Sequence, residues 1–153
     1  MSSTAEDFLA LQPPLKRKVH LALCELALDR WTHFLAEVRV LTYVESVCGT
    51  VQQVDFKLPS DALEAAKSGR DDSGVGQRYE EPIAAMQDDD LEFPPDVEFA
   101  YYAIYNLFQK YAAGDVVDDW IIVNQALSAG PDRGKCTEIL DAAISFARRA
   151  PPI

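Results

Sequence analysis

Only two histidines and three cysteines occur in 153 residues, and neither type sits where metal or redox chemistry needs it. Cys24, Cys48 and Cys136 are far apart and form no C-x-x-C pair. They read as reduced, buried thiols, not as a disulfide framework or a zinc site. His20 has Cys24 four residues on, and His33 has Glu37, so each pair shares one helical face. Two isolated pairs fall short of a centre, and neither H-E-x-x-H nor the E-x-x-H of di-iron bundles is present. No metal or other cofactor is expected, and both imidazoles read as core or surface residues.

Long apolar runs are missing too. Lys16, Arg17, Lys18, Glu25, Asp29 and Arg30 interrupt the longest apolar region, well before the roughly 18 residues of a membrane span. The opening MSSTAEDFLA carries acids where a signal peptide carries bases. The expectation is a cytoplasmic protein.

Phosphate-binding loops fail on inspection. GPDRGKC, residues 130–136, ends like a Walker A motif, but its glycines are one residue too close and Cys136 replaces the magnesium-binding hydroxyl. SGVGQR lacks the third glycine of a dinucleotide fingerprint. G-x-S-x-G is absent. No enzyme is expected; a metal-dependent nucleotide hydrolase is the third reading, on the strength of the i, i+3 spacing of Asp115 and Asp118, for which Glu81 offers no matching second pair.

The most informative scarcity is of bases. Residues 79–132 hold 12 acids and one base, Lys110, whereas residues 1–78 hold 11 acids and 9 bases, and residues 133–153 hold 2 and 4. The formal net charge of −11 therefore resides in the central third. A field of one sign disfavours nucleic acid and anionic membrane and favours a basic protein partner.

What is present is helical periodicity in an ordinary globular composition, 48% hydrophobic and 25% charged. The chain is long enough for one core without staples and reads as a single domain, residues 1–153. A short helix is expected over Thr4–Leu11, halted by Pro13 and Pro14. From Leu15 the apolar spacing runs to a stop at Gly49, with Val38, Leu41 and Val44 continuing it. A break near Asp29–Trp31 is favoured over a helix of such length, although residues 15–48 could also form one helix. Val54, Phe56 and Leu58 alternate over too few positions to secure a strand, and Ser60 or Asp61 can cap a helix through Lys67. SGRDDSGVGQ, residues 68–77, reads as one mobile Gly/Ser-rich loop, followed by a short helix over 81–87. Pro95 to Ala113 is the best-specified helix, opening on proline and stopping at Gly114, with Val97, Ala100, Tyr101, Ile104, Leu107, Phe108 and Tyr111 on one face. Two more helices are expected, one opening at Asp115–Asp119 and ending before Gly130, the other from about Lys135 to Arg149. The fold class is all-α, a compact bundle of about six helices.

MQDDDLEFPPDVEFAYY, residues 86–102, combines the acids with Tyr102, which falls among polar neighbours on its helix. Helix-dipole complementarity accounts for Asp96 and Glu98 by itself, and packing beneath the 68–77 loop would account for Tyr102. An interface accounts for both, because an aromatic ringed by charge is a usual anchor.

A small, acidic, helical chain without a catalytic motif resembles the immunity proteins of bacterial polymorphic-toxin and contact-dependent systems. LKRKVHLALCELALDRW, from Leu15 to Trp31, is similar to the first helix of an all-helical family of such proteins: a histidine, a run of alanines and leucines, then an acidic–basic pair. The likeness spans about 20 residues and transfers no functional residue. It implies stoichiometric neutralisation of a cognate toxin, with Asp88, Asp89, Asp90, Glu92, Asp96 and Glu98 pairing with its lysines or arginines and Tyr102 packing at the centre. The alternative is a secretion chaperone or adaptor that holds an effector segment in an apolar groove.

Overall fold

The computed structural model describes residues 3–38, 40–44, 48–71, 74–88, 91–130 and 133–149. Among these residues seven α-helices enclose the core, and one two-stranded hairpin lies beside them. The helices are α1 (Thr4–Leu9), α2 (Pro13–Leu35), α3 (Leu58–Ser68), α4 (Val75–Gln87), α5 (Pro95–Tyr111), α6 (Asp119–Ser128) and α7 (Cys136–Arg149); the strands are β1 (Thr42–Val44) and β2 (Val51–Gln53). The all-α expectation holds, with the hairpin as its one exception.

Helix α2 is continuous through Asp29–Trp31, where a break was favoured. The reason is packing on several sides: α2 touches α3, α5, α6 and α7, and Val19, His20, Leu23, Cys24, Ala27 and Trp31 are all buried. Tertiary contact sustains a length that local propensity alone would not. Trp31 fixes the helix near its end, donating its indole N–H to the Phe56 carbonyl at 3.0 Å. Its ring is also packed among Phe34, Phe56, Phe93 and Tyr101 at centroid distances of 5.1–6.3 Å.

Beyond Leu35 the expected helix to Gly49 gives way to the hairpin. Val38, Val40, Thr42 and Val44 place β-branched residues at every second position, which suits a strand better than a helix. Thr42, Tyr43 and Val44 pair antiparallel with Gln53, Gln52 and Val51. Tyr43 turns inward and donates its hydroxyl to Glu81 of α4 at 2.9 Å, docking the hairpin on that helix. Val44 and Val51 face each other and remain exposed.

The expected loop 68–77 is shorter than the sequence suggested. Ser68 ends α3, Gly69 closes it in the left-handed conformation at φ 75°, and residues 75–77 already belong to α4. The Asp71 carboxylate starts α4 by accepting from the Val75 and Gly76 amides at 2.7 and 3.1 Å. A side chain at Gly76 would meet Phe108, because its Cβ would lie 3.2 Å from the ring. Asp72 and Ser73 lie outside the described residues.

Helix α5 is the centre of the bundle, packed on α2, α3 and α6. Its expected inner face is buried from Val97 to Phe108, with Tyr111 half-buried at the end. Helix α6 begins at Asp119, later than expected, because Asp118 serves as its N-cap and accepts from the Trp120 amide at 2.8 Å. Helix α7 follows a short 3-10 turn, Arg133–Lys135.

Candidate functional site

The acidic segment is held outward by apolar neighbours. Leu91 and Phe93 are buried and flank the exposed Glu92, and the Leu91 amide donates to the Ala85 carbonyl at 3.2 Å. Asp88 is exposed at the C-terminal end of α4. Asp89 and Asp90 lie outside the described residues. The remaining acids belong to the first turn of α5, where the helix dipole favours them.

Within that turn Asp96 and Glu98 have different fates. Asp96 is committed inside the molecule: it forms an ion pair with Arg30 of α2, and its other carboxylate oxygen accepts from the Val97 amide at 3.0 Å. Glu98 is exposed, and it lines a cavity of about 330 Å³ with Pro95, Phe99, Tyr102 and Gln125. Tyr102 is half-buried in its wall. Burial, then the negative charge of Glu98, push the Tyr102 hydroxyl above its ordinary pKa. Glu98 and Tyr102 are thus brought together, as their i, i+4 spacing on one helix dictates. Asp88 and Glu92 precede them along the chain without lining that cavity, and among the described residues neither they nor Glu98 form a salt bridge.

The central acid excess is partly neutralised by bases from α2 and α5. Arg30 answers Asp96, and Asp119 is bridged by Lys16 at 3.3 Å and by Lys110 at 2.9 Å. A count within residues 79–132 misses two of these three cations, because they lie far away in sequence. Among the described residues of that window Glu80, Glu81, Asp88, Glu92, Glu98, Asp115 and Asp118 hold no salt bridge, and of these Asp88, Glu92 and Glu98 lie on the approach to Tyr102.

A second concavity was not assigned to any residues by the sequence. A groove of about 370 Å³ opens between α2, α6 and the start of α7. Its walls are apolar: Leu23 and Leu26 from α2, Ala126, Leu127 and Ala129 from the end of α6, and Ile139 from α7. Asp29, Arg30 and His33 form its polar rim. Leu26 is 52% exposed at its mouth, although helical spacing puts it in line with the buried Val19 and Leu23.

His20 marks a third feature, a buried polar junction of α2, α5 and α6. A carbonyl oxygen can only accept, so Nε2–H donates to the Asp119 carbonyl at 2.8 Å and Nδ1 accepts from the Tyr111 hydroxyl at 2.7 Å. Both nitrogens are satisfied by the neutral ring. Burial lowers its pKa from 6.5 to about 4, against the opposing pull of the Asp119 carbonyl and carboxylate. The Asp119 carboxyl is pushed up by its own partial burial, but hydrogen bonds from Lys110 and Lys16 outweigh that and leave it below its ordinary value. Cys24, four residues on, is fully buried and donates weakly to the Ala103 carbonyl at 3.8 Å. Burial raises its thiol pKa far above the range where a thiolate forms. The pair is core structure.

The carboxylates of the hydrolase reading do not assemble. Asp115 precedes α6 and Asp118 caps it, so their i, i+3 spacing is not on a helix. Among the described residues no group of three or more His, Cys, Asp or Glu side chains is gathered as a metal cage. No described helix is long and apolar enough to cross a membrane. Compared with protein-family models, curated proteins and solved structures, the chain matches none of them.

Proposed function

We propose that this chain is a protein-binding module of the immunity type, which captures a basic partner, a cognate bacterial toxin, and neutralises it by covering its working surface. The observation that carries this reading is the arrangement before and within the first turns of α5. Asp88, Glu92 and Glu98 are exposed and hold no internal cation among the described residues, and they lead to the half-buried Tyr102 in a cavity wall. Exposed carboxylates raise the rate of encounter with a cationic surface, and an aromatic that becomes fully desolvated slows departure. Asp96, paired with Arg30, offers less free charge to such a partner than Asp88, Glu92 and Glu98 do.

The test is neutralisation of a candidate cognate toxin, sought among the products of neighbouring genes, by the wild type and by Asp88→Lys, Glu92→Lys and Glu98→Lys together. Loss of protection and of salt-dependent binding is the expected result. Unchanged protection and an unchanged salt slope would place the interface elsewhere. Tyr102→Ala is expected to accelerate dissociation with little change in association rate.

The groove favours a second reading, a chaperone or adaptor for a secreted effector, since such a protein needs an apolar channel for an unfolded segment. Binding of a hydrophobic dye by the folded protein, with release by an effector fragment, supports that reading.

A further inference from the structure

We propose that the groove between α2, α6 and α7 receives the apolar face of a cationic amphipathic helix of the partner. The proposal rests on the reading that the partner is basic, and it names the element of that partner which this molecule holds.

The shape comes from short side chains. Ala126 and Ala129 end α6 without bulk, so Leu26 and Ile139 stand apart across a gap of about 370 Å³. That volume lies at the lower end of the range in which sites bury a ligand, about 300–1,000 Å³. An apolar groove between helices suits a row of apolar residues at i, i+3 or i+4, and i+7. Leu26 is already half in water, so covering it removes exposed apolar surface without moving the core.

Charge selects the occupant. Arg30 on the rim is answered by Asp96, whereas Asp29 is exposed and holds no salt bridge among the described residues. The C-terminal end of α6 also reaches the groove at Ala129, and the negative end of a helix favours a cation. Asp29 is therefore the rim charge that a lysine or arginine of the occupant can answer. The rim also joins the acidic face. Arg30 connects the groove to the first turn of α5, and Gln125 and Ala126, neighbours on α6, line the two concavities. One helix with its apolar side in the groove can place bases on Asp29 and on Glu98.

The probe is a fluorescein-labelled helical peptide of about 15 residues, some four turns, with leucines on one face and lysines on the other. Binding is read by fluorescence polarisation. The wild-type protein is expected to bind it at least tenfold more tightly than the same peptide with serine for leucine, or with glutamate for lysine. Leu26→Glu adds an acid and would strengthen purely electrostatic binding; the groove predicts at least a tenfold loss, with a smaller loss for Leu26→Ala. Circular dichroism verifies the fold of both variants. Undiminished binding to Leu26→Glu, or equal binding of the serine peptide, overturns the proposal. So does a dimer in sedimentation that Leu26→Glu dissociates, since the groove would then hold a second copy of the chain. The two readings fail separately. Loss of binding in Leu26→Glu with intact toxin neutralisation by the charge-reversed Asp88, Glu92 and Glu98 protein rejects the acidic face and keeps the groove, whereas the reverse pattern rejects the groove alone.

Discussion

Lowering the pH from 7 to 5 should destabilise this protein through His20 by about 2 kcal/mol. In the fold the imidazole is neutral, fully buried and satisfied at both nitrogens by Tyr111 and the Asp119 carbonyl. Its pKa is about 4, against 6.5 when unfolded. Between those values the unfolded chain binds the extra proton and the native chain does not, so stability falls as pH falls through that window. The gap corresponds to about 3 kcal/mol well below pH 4, of which about 2 kcal/mol is lost by pH 5. Asp119 adds a second loss with a lower window. Its folded pKa is depressed, so its contribution is complete above the ordinary carboxylate value of 3.8 and disappears as pH falls through the folded one. The assay is urea unfolding at half-unit steps from pH 7 to pH 4.5, on the wild type and on His20→Gln, which keeps polar atoms without a titrating ring. Other carboxylates titrate equally in both, so the difference in slope isolates His20. The variant should be less stable at pH 7 and lose less on acidification. Parallel curves would refute the buried neutral imidazole and with it the tautomer deduced from its two partners.

Two buried tyrosines should respond oppositely to loss of their hydroxyl groups. Among the described residues the buried Tyr101 hydroxyl has no hydrogen-bond partner, so Tyr101→Phe should leave thermal stability unchanged or raise it, by up to about 1 kcal/mol. Tyr79 donates to the Tyr101 carbonyl at 2.8 Å, and Tyr79→Phe should cost about 1 kcal/mol or more, measured by chemical denaturation. Asp71→Ala removes both acceptors from the start of α4. A loss of about 1–2 kcal/mol is expected, with faster amide exchange at Val75 and Gly76; unchanged exchange at these two amides would show that the cap is dispensable.

Helix α5 was legible because its signals agree. Proline opens it, glycine follows it, and an unbroken 3.6-residue spacing selects the face that is in fact buried. The end of α2 was not, because Val38, Leu41 and Val44 satisfy helical spacing while Val38, Val40, Thr42 and Val44 satisfy strand spacing. Docking of Tyr43 on Glu81 supports the strand reading from outside the segment. The same non-locality limited the site. Glu98 and Tyr102 meet because they are four apart on one helix, a relation any sequence displays. Arg30 meets Asp96 across 66 residues, and no local pattern displays that. The groove was invisible for the same reason: its small residues become a wall only once α2 and α7 stand opposite them.

The alternation of Leu91, Glu92 and Phe93 separates two jobs that share one segment. The inward residues fasten the stretch to the core, and the outward one is free of it. Substitution of Glu92, like that of Asp88 and Glu98, therefore changes the charge presented to solvent at little cost to folding. A segment built this way tolerates exchange of single exposed letters, and sequence change should cost least where the chain touches its own core least.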